Sequence, residues 1–399
     1  MKKVVKFGGS SLASAGQFKK VGDIIHADCA RRYVVPSAPG KRFPADTKVT
    51  DMLYDCYRAA VTGKDFSQKL KNIKDRYQEI IDGLSLTLSL DSEFDKIEEQ
   101  FRAGAGEDYA ASRGEYLNGI VMAAYLGCTY IDAAEVIFFD ENGNFLAEKT
   151  DQVLSERLEK EERAVIPGFY GSKPDGSVKT FSRGGSDITG SIVAKAVHAD
   201  VYENWTDVSG FLVTDPRIVE NPEVISTITY RELRELSYMG ATVLHEDCIF
   251  PLRKEGIPIH VLNTNAPQDP GTLIVESTCS KPRFTITGIA GKKGFAAITI
   301  EKSMMNSEVG FGRKVLQVFE ENDISFEHVP SGIDTMTVFV HQQEFEEKEQ
   351  RVIAGLHRAV QPDSMTWSRI LPWWLLWGEE CAAHVEPQAA FSLLLRTPM

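Results

Sequence analysis

Two short motifs combine glycines with charged side chains at points where an apolar run ends. The first is KFGGSS at residues 6–11, which ends the apolar run that starts at Lys3. Glycines at the end of a strand let backbone N–H groups face a bound anion, and Lys6 would add a positive charge beside them. The motif is not a Walker A loop, because GxxxxGK[ST] is absent. An ordinary strand–turn–helix with a surface lysine explains it equally well.

The second motif is FSRGGSD at residues 181–187, before a helical pattern that continues through Lys195. Arg183 offers a planar fork that matches a carboxylate or a phosphate. The simpler interpretation is a helix capped by Ser186 or Asp187. That interpretation does not explain the arginine or the paired glycines.

A third segment, WTDVSGFLVTDPR at residues 205–217, follows another apolar run. Its Thr-Asp and Asp-Pro-Arg groups could contact the base, ribose and phosphates of a nucleotide. A turn-rich loop is the commoner meaning of Asp-Pro, so this segment alone is weak evidence.

Composition limits the classes of function. Acidic residues number 57 and basic residues 44, giving a net charge of −13. This opposes a broad nucleic-acid or anionic-membrane surface, although a local phosphate pocket is compatible with it. The six cysteines show neither a CxxC pair nor zinc spacing and are expected to be reduced. No apolar run approaches the ~18 residues of a membrane span. We therefore expect a cytoplasmic protein with no nucleic-acid or membrane partner.

Alternating patterns of strand and helix must position these motifs. Strand-like runs separated by helical patterns predict a mostly parallel α/β sheet up to about residue 280. The strand-like runs lie at 3–7, 33–35, 136–139, 164–166, 201–205 and 259–262. Beyond Lys281-Pro282 the order β-β-α-β-β-α predicts a small α+β unit, with strands at 284–290, 295–300, 325–329 and 335–341.

In their order and spacing, the three motifs and GFYG at 168–171 closely resemble the aspartate kinase family over about residues 1–360. The resemblance implies a three-layer αβα amino acid kinase fold, like that of carbamate kinase, over residues 1–280. An incomplete ACT regulatory domain is implied over 284–364. The implied reaction is ATP + L-aspartate → ADP + 4-phospho-L-aspartate, the first step from aspartate toward lysine, threonine and methionine. Feedback by an amino acid, lysine foremost, and a homodimer formed through the ACT regions are also implied.

The resemblance also implies roles for individual residues. Lys6 contacts the transferred phosphoryl group, Asp187 orients Lys6 or binds substrate, and Gly8 and Gly9 offer their amides. Glu115 pairs with the substrate amino group and Arg183 clamps its α-carboxylate. The remaining substrate residues are Ser10, Thr50, Phe169 and Ser186, and the nucleotide residues are Lys6, Gly8, Gly9, Thr206, Asp207, Leu212, Asp215 and Arg217.

Three further expectations concern the metal, one nucleotide contact and the effector. Mg²⁺ is expected to bind through the nucleotide phosphates, with no dedicated protein site. Thr242 stands where related enzymes often carry a lysine, which puts one nucleotide contact in doubt. Met305 and Ser331, near the loop 303–310, are the expected effector residues.

Two alternative functions remain at this stage. A different acceptor, such as glutamate or N-acetylglutamate, is opposed by Glu115 and Arg183, which match an unmodified α-amino acid. A non-catalytic amino-acid sensor is opposed by the presence of Lys6, Arg183 and Asp187 together. The length of the chain leaves no room for a fused homoserine dehydrogenase.

The last residues, 365–399, do not resemble the second ACT domain that we expect there. Four of the five tryptophans fall within residues 367–377. Tryptophan has one codon, so Trp373-Trp374 must be TGGTGG, which contains a valine codon in the frame displaced by two nucleotides. We predict that this tail results from a shifted reading frame. The alternative is a genuine divergent tail that docks its tryptophans on the core or on a partner.

Sequencing the gene through the codons for residues 360–399 tests this prediction. We expect an insertion or deletion near codon 365 relative to the frame that encodes a second ACT domain. An unbroken frame in independent clones, together with a soluble and feedback-regulated dimer made from it, would contradict the prediction.

Overall fold

The computed structural model describes residues 1–181, 184–238, 244, 248–278 and 286–377, with side chains up to residue 368. Residues 1–288 form one compact unit and residues 289–376 form another, each around its own apolar core. None of the helices described in these ranges is long and apolar enough to cross a membrane.

The first unit is built on an eight-stranded sheet. Its strands are β1 (Lys3–Phe7), β2 (Arg31–Pro36), β3 (Thr129–Tyr130), β4 (Ala164–Val165), β7 (Val201–Thr206), β8 (Thr227–Thr229), β9 (Ile259–Asn263) and β10 (Thr272–Val275). A separate hairpin joins β5 (Tyr170–Ser172) to β6 (Val178–Thr180). The strand order is β3-β4-β2-β1-β7-β9-β10-β8, and only the β9–β10 pair is antiparallel. The mostly parallel sheet expected from the sequence is confirmed.

Helices cover both faces of this sheet. They are α1 (Ala15–His26), α2 (Val49–Val61), α3 (Ser67–Gly83), α4 (Asp91–Ala103), α5 (Glu107–Leu126), α6 (Ala133–Val136), α7 (Ala147–Leu158), α8 (Gly185–Ala196), α9 (Tyr230–Tyr238) and α10 (Ile249–Glu255). Alternate residues of β1 point to opposite layers. Val5 and Phe7 join the core formed with α1–α5, whereas Lys6 contacts α8. This is the three-layer αβα arrangement, as expected.

The parallel register gathers three chain segments at one edge of the sheet. Lys6 lies opposite Val35 of β2 and Asn204 of β7. Backbone hydrogen bonds continue beyond the strands: Ser37 N–H donates to Phe7 O at 3.1 Å, and Gly8 N–H donates to Trp205 O at 3.0 Å. The loops that follow β1, β2 and β7 are therefore held together where the strands end.

A buried carboxylate ties the same three strands together. Glu203 of β7 is 1% exposed and accepts from Arg31 Nε at 2.7 Å, Lys3 Nζ at 2.8 Å and Trp205 Nε1 at 2.9 Å. Burial alone would raise the pKa of Glu203, but the hydrogen bonds and charges of Arg31 and Lys3 outweigh it and lower that pKa. Glu203 is therefore an ionised group whose two oxygens both accept hydrogen bonds, and it links the three strands.

The second unit contains β11 (Gly288–Glu301), α11 (Phe311–Glu321), β12 (Phe326–His328), β13 (Thr335–His341), α12 (Gln342–Glu346), α13 (Glu349–Val360) and β14 (Ser364–Trp377). Its sheet has the order β12-β13-β11-β14, and β13 pairs antiparallel with both of its neighbours. The helices α11 and α13 contribute Val315, Val318, Val352 and Leu356 to the apolar core beneath the sheet.

Three local expectations differ from the structure. Of the predicted strand 136–139, Val136 instead ends the short helix α6, which Asp132 caps by accepting from Ala134 N–H at 2.9 Å, whereas Phe138 and Phe139 form isolated β-bridges with Ser172 and Phe145. The two predicted strands 284–290 and 295–300 are one strand, β11, although residues 284 and 285 lie outside the described ranges. The tryptophan-rich run gave no strand pattern, yet 364–377 is a strand beside β11. Backbone pairing with β11 does not require alternating side chains. Residues 378–399 lie outside the described ranges.

Candidate active site

Lys6 and Asp187 meet at the carboxyl end of the parallel sheet. Lys6 Nζ lies 2.6 Å from Asp187 Oδ1, and the two side chains are only 10% and 13% exposed. Asp187 stands in the first turn of α8, preceded by Gly184 at a φ of 78°. The N-cap position is held by Gly184, and Ser186 and Asp187 lie inside the helix, so the interpretation of either residue as a simple cap is wrong. The structure instead directs Asp187 toward Lys6.

The turn after β1 approaches the loop after β2 so closely that both need glycine. A Cβ on Gly9 would lie 2.8 Å from Ala38 O, and a Cβ on Gly40 would lie 2.6 Å from the Gly9 carbonyl carbon. Gly40 N–H donates to Gly9 O at 2.7 Å. Neither position can accept a side chain without moving backbone.

One expectation about this turn needs correction. The Gly8 amide donates to Trp205 O, so it is not available to a phosphoryl group as the sequence analysis expected. The amides of Gly9 and Ser10 have no backbone partner within the described part of the chain. They are the donors of this turn that remain open to an anion.

A buried arginine holds the loop that leads from β2 to Thr50 in α2. Arg76 of α3 is 4% exposed; it donates to Gly40 O and, at 2.6 Å, to Thr47 O. It also lies 3.3 Å from the carboxylate of Asp46. Arg76 thus fixes both ends of the 40–47 segment, and the sequence offered no motif by which to find it.

Glu115 presents an unpaired oxygen inside the protein. It lies on α5, is 6% exposed, and its Oε2 has no hydrogen-bond partner among the described residues. Burial raises the pKa of Glu115 to about 8, although hydrogen bonds from the backbone of Ala38 and of Glu115 itself, and the charge of Arg113, act in the opposite direction. A buried carboxyl group with a free oxygen is suited to receive a cation such as an ammonium group.

The GFYG segment lies against the start of α8. A Cβ on Gly168 would lie 2.7 Å from Ser186 Oγ, so Ser186 and Gly168 are in direct contact. Phe169 has a φ of 82° and donates its N–H to Thr189 Oγ1 at 3.0 Å. Positive φ is uncommon for an aromatic residue and is often kept at functional sites. Phe169 and Ser186 thus lie on adjoining segments, whereas Arg183 lies outside the described residues.

The expected nucleotide residues form two separate groups. Thr206 Oγ1 and Asp207 Oδ1 lie 3.3 Å apart at the end of β7. In the following loop Arg217 Nη2 lies 2.6 Å from Asp215 Oδ2, and hydrogen bonds from Arg217 lower the pKa of Asp215. No hydrogen bond or ion pair between described residues links the two groups. Leu212 forms an isolated bridge with Val224. Thr242 lies outside the described residues.

In the second unit the expected effector residues are not both accessible. Met305 is 6% exposed and belongs to the core that contains Phe311. Because that side chain is used in packing, a role of Met305 in binding an effector stays a prediction. Ser331 is exposed. The Ser303 and Met304 amides already donate to Asp363 Oδ2 at 2.7 Å and to Asp334 Oδ1 at 2.9 Å.

Asn204 is a further residue that the sequence analysis missed. Its Nδ2 donates to Asp187 Oδ1 at 2.8 Å, and the residue is 1% exposed. The signal was present in the sequence, since Glu203-Asn204 interrupts an otherwise apolar strand, and fully buried polar residues usually have a specific partner.

Comparison with known proteins assigns the class. The sequence profile of the amino acid kinase family matches residues 1–263. Aspartokinase 3 of Bacillus subtilis is 40% identical over 88% of this chain and 80% of its own length. The crystal structure of the aspartate kinase of Clostridium acetobutylicum is 49% identical, with a TM-score of 0.87 over 99% of this chain and 90% of that one. Lysine-sensitive aspartokinase 3 of Escherichia coli is 28% identical over 81% of this chain and 74% of its own length.

These comparisons agree with the fold and with the charged groups gathered at the strand ends. A sheet of this order with helices on both faces is that of a small-molecule phosphotransferase of the amino acid kinase type. Within that type the chain belongs to the aspartate kinases, which transfer a phosphoryl group to a carboxyl group of aspartate.

The raised pKa of Glu115 predicts how stability depends on pH. Between about pH 4.5 and about 8 the folded protein keeps the proton on Glu115, whereas the unfolded chain releases it. The free energy of unfolding of the wild type should therefore fall, relative to that of Glu115→Gln, by up to about 1.4 kcal/mol per pH unit as the pH rises. Urea unfolding of both proteins at the two ends of this range measures the difference.

The control is Glu99→Gln, at an exposed position of α4, which should keep the wild-type dependence on pH. An equal difference between the wild type and Glu115→Gln at both ends of the range would show that Glu115 does not hold a proton in the folded protein.

Proposed function

We propose that the residues gathered at the carboxyl edge of the sheet phosphorylate the side-chain carboxylate of free L-aspartate with ATP. The observation that carries this proposal is Glu115, which is buried and has one oxygen without a partner. A group that costs free energy to bury in this way is retained where a ligand completes it. The α-ammonium group of an amino acid is the matching ligand. Its positive charge would lower the pKa of Glu115, which would release its proton to solvent on binding.

Lys6 supplies the positive charge for the transfer. The nucleophile is a carboxylate that is already ionised at neutral pH, so the reaction needs no strong base. Catalysis then depends on positioning and on neutralising charge as the phosphoryl group moves. Lys6, held by Asp187, lies near the end of β1, and the amides of Gly9 and Ser10 follow in the next turn, which supports placing the transferred phosphoryl group there.

The roles of the remaining residues rest on the resemblance of their motifs to those of the aspartate kinases. Thr50, Phe169 and Ser186 would line the aspartate pocket, and the guanidinium of Arg183 would bind the α-carboxylate. Thr206, Asp207, Leu212, Asp215 and Arg217 would contact the nucleotide. Within the described ranges no three His, Cys, Asp or Glu side chains are arranged to hold a metal ion. We propose that Mg²⁺ arrives bound to the phosphates of ATP and neutralises their charge.

A coupled assay of ADP release with a panel of acceptors tests the proposed reaction. We expect release with L-aspartate, and values of kcat/KM lower by about 100-fold or more for L-glutamate and N-acetyl-L-aspartate. N-acetylation removes the ammonium group that Glu115 is proposed to receive. Equal rates with L-aspartate and N-acetyl-L-aspartate would contradict the role of Glu115. A lack of ADP release with every acceptor would favour the alternative of a non-catalytic sensor.

We further propose that residues 284–364 are a regulatory ACT domain and that the tail 365–399 replaces a second one. The relative from Escherichia coli is named lysine-sensitive, which supports lysine as the effector. The enzyme would then form a homodimer through its ACT regions when the reading frame is unbroken and the second ACT domain is present. It would act in the cytoplasm, where ATP is available, at the start of the route from aspartate to lysine, threonine and methionine.

Titration calorimetry with lysine and with threonine tests the regulatory proposal. We expect heat of binding and a loss of activity with lysine, and neither with threonine. Asp334→Asn serves as a probe of the loop, because the carboxylate of Asp334 accepts from Met304 N–H and holds its backbone. No heat from either amino acid, on a chain with an unbroken reading frame, would contradict regulation by this unit.

A further inference from the structure

Asn204 is a buried residue of β7 beside the Lys6–Asp187 pair. It lies directly opposite Lys6 in the parallel pairing of β1 with β7, so both side chains project from the same face of the sheet. Both reach the same atom, Asp187 Oδ1: Lys6 Nζ at 2.6 Å and Asn204 Nδ2 at 2.8 Å. One carboxylate oxygen thus receives a charged donor and a neutral donor from neighbouring strands.

The orientation of the Asn204 amide follows from its partner. An ionised carboxylate can only accept hydrogen bonds, so the NH₂ group must face Asp187 and the carbonyl oxygen must face away. That oxygen, Oδ1, is buried and has no partner among the described residues. An apolar residue of the same size would avoid this unfavourable burial. The presence of asparagine therefore indicates that the Nδ2–H donor is needed where it is.

From this geometry we infer that Asn204 is a positioning residue for phosphoryl transfer, acting through Asp187 on Lys6. The inference rests on the proposed function. Lys6 Nζ must turn partly toward the phosphoryl group as negative charge develops there, which weakens its contact with Asp187. Asn204 keeps a second donor on Asp187 Oδ1, so the carboxylate stays in place and continues to orient the lysine.

Tyr202, two residues earlier on β7, provides a matched control. It is also fully buried on this face of the strand, but its hydroxyl donates to the backbone oxygen of Asp187, at 3.3 Å, and not to the carboxylate. Tyr202→Phe removes one hydrogen bond to the same residue without changing the donors around its carboxylate.

The experiment compares steady-state kinetics and thermal unfolding of the full chain with those of its variants. Asn204→Leu should lower kcat about 10- to 100-fold, while the KM values for aspartate and MgATP change less than about threefold, because loss of alignment affects the reacting geometry more than binding. Its Tm should equal or exceed that of the wild type. Asn204→Asp, which keeps the shape but replaces the donor with a carboxylate, should lower kcat at least as much. Tyr202→Phe should keep kcat within about threefold.

A double-mutant cycle with Lys6 separates positioning from a general structural effect. Lys6→Ala alone should lower kcat about 100- to 1,000-fold. If Asn204 acts through Lys6, adding Asn204→Leu should lower kcat little further. The inference is overturned if the two effects multiply, if a folded Asn204→Leu or Asn204→Asp keeps kcat within threefold of the wild type, or if Tyr202→Phe matches Asn204→Leu.

Failure of the proposed function would give a different experimental result from failure of the role of Asn204. If the wild type phosphorylates another carboxylate in place of aspartate, the proposed substrate is wrong, and the same cycle tests Asn204 with that acceptor. If the wild type phosphorylates no acceptor, both the proposed function and the role of Asn204 are overturned.

Discussion

The parallel register of β1 between β2 and β7 is the constraint on which the site depends. It places Lys6 opposite Asn204, and it sends Lys6 to the α8 layer while Phe7 enters the apolar core. The hydrogen bond from Gly8 N–H to Trp205 O continues that register into the turn. A slip of one residue would exchange the two faces of the strand and bury Lys6 among apolar side chains. The ion network around Glu203, which joins all three strands, opposes such a slip.

Two buried glutamates differ in their hydrogen-bond partners and therefore in the direction of their pKa shifts. Glu203 has donors from Arg31, Lys3 and Trp205, and the charges and hydrogen bonds of the two basic residues lower its pKa in spite of burial. Glu115 is buried with one oxygen unpaired, and burial raises its pKa to about 8. Among the described residues the first carboxylate has donors for both oxygens, whereas the second has an oxygen that we propose to receive the ammonium group of the substrate. Under this proposal the αβα scaffold contains one carboxylate for stability and another for recognition.

Features that depend on neighbouring residues in the sequence could be predicted, whereas features that depend on contacts between distant segments could not. The strand 3–7, the helix after FSRGGSD and the mostly parallel sheet follow from local patterns, and all three are confirmed. Contacts between distant segments could not be read in this way. Arg76 binds Gly40 O across 36 positions, and the Gly8 amide is taken by Trp205 O from a different strand. The burial of Met305 could not be read from the sequence for the same reason, since burial depends on packing partners from several elements.

A crystal structure of the enzyme with ADP, Mg²⁺ and L-aspartate would test the account most directly. In that complex the α-ammonium group of aspartate should lie about 3 Å from Glu115 Oε2, with the side-chain carboxylate directed toward Lys6 Nζ. Asp187 should retain its hydrogen bond from Asn204 Nδ2 in that complex. Aspartate bound elsewhere, with Glu115 Oε2 still unpaired, would contradict the central claim that this buried carboxylate selects the substrate.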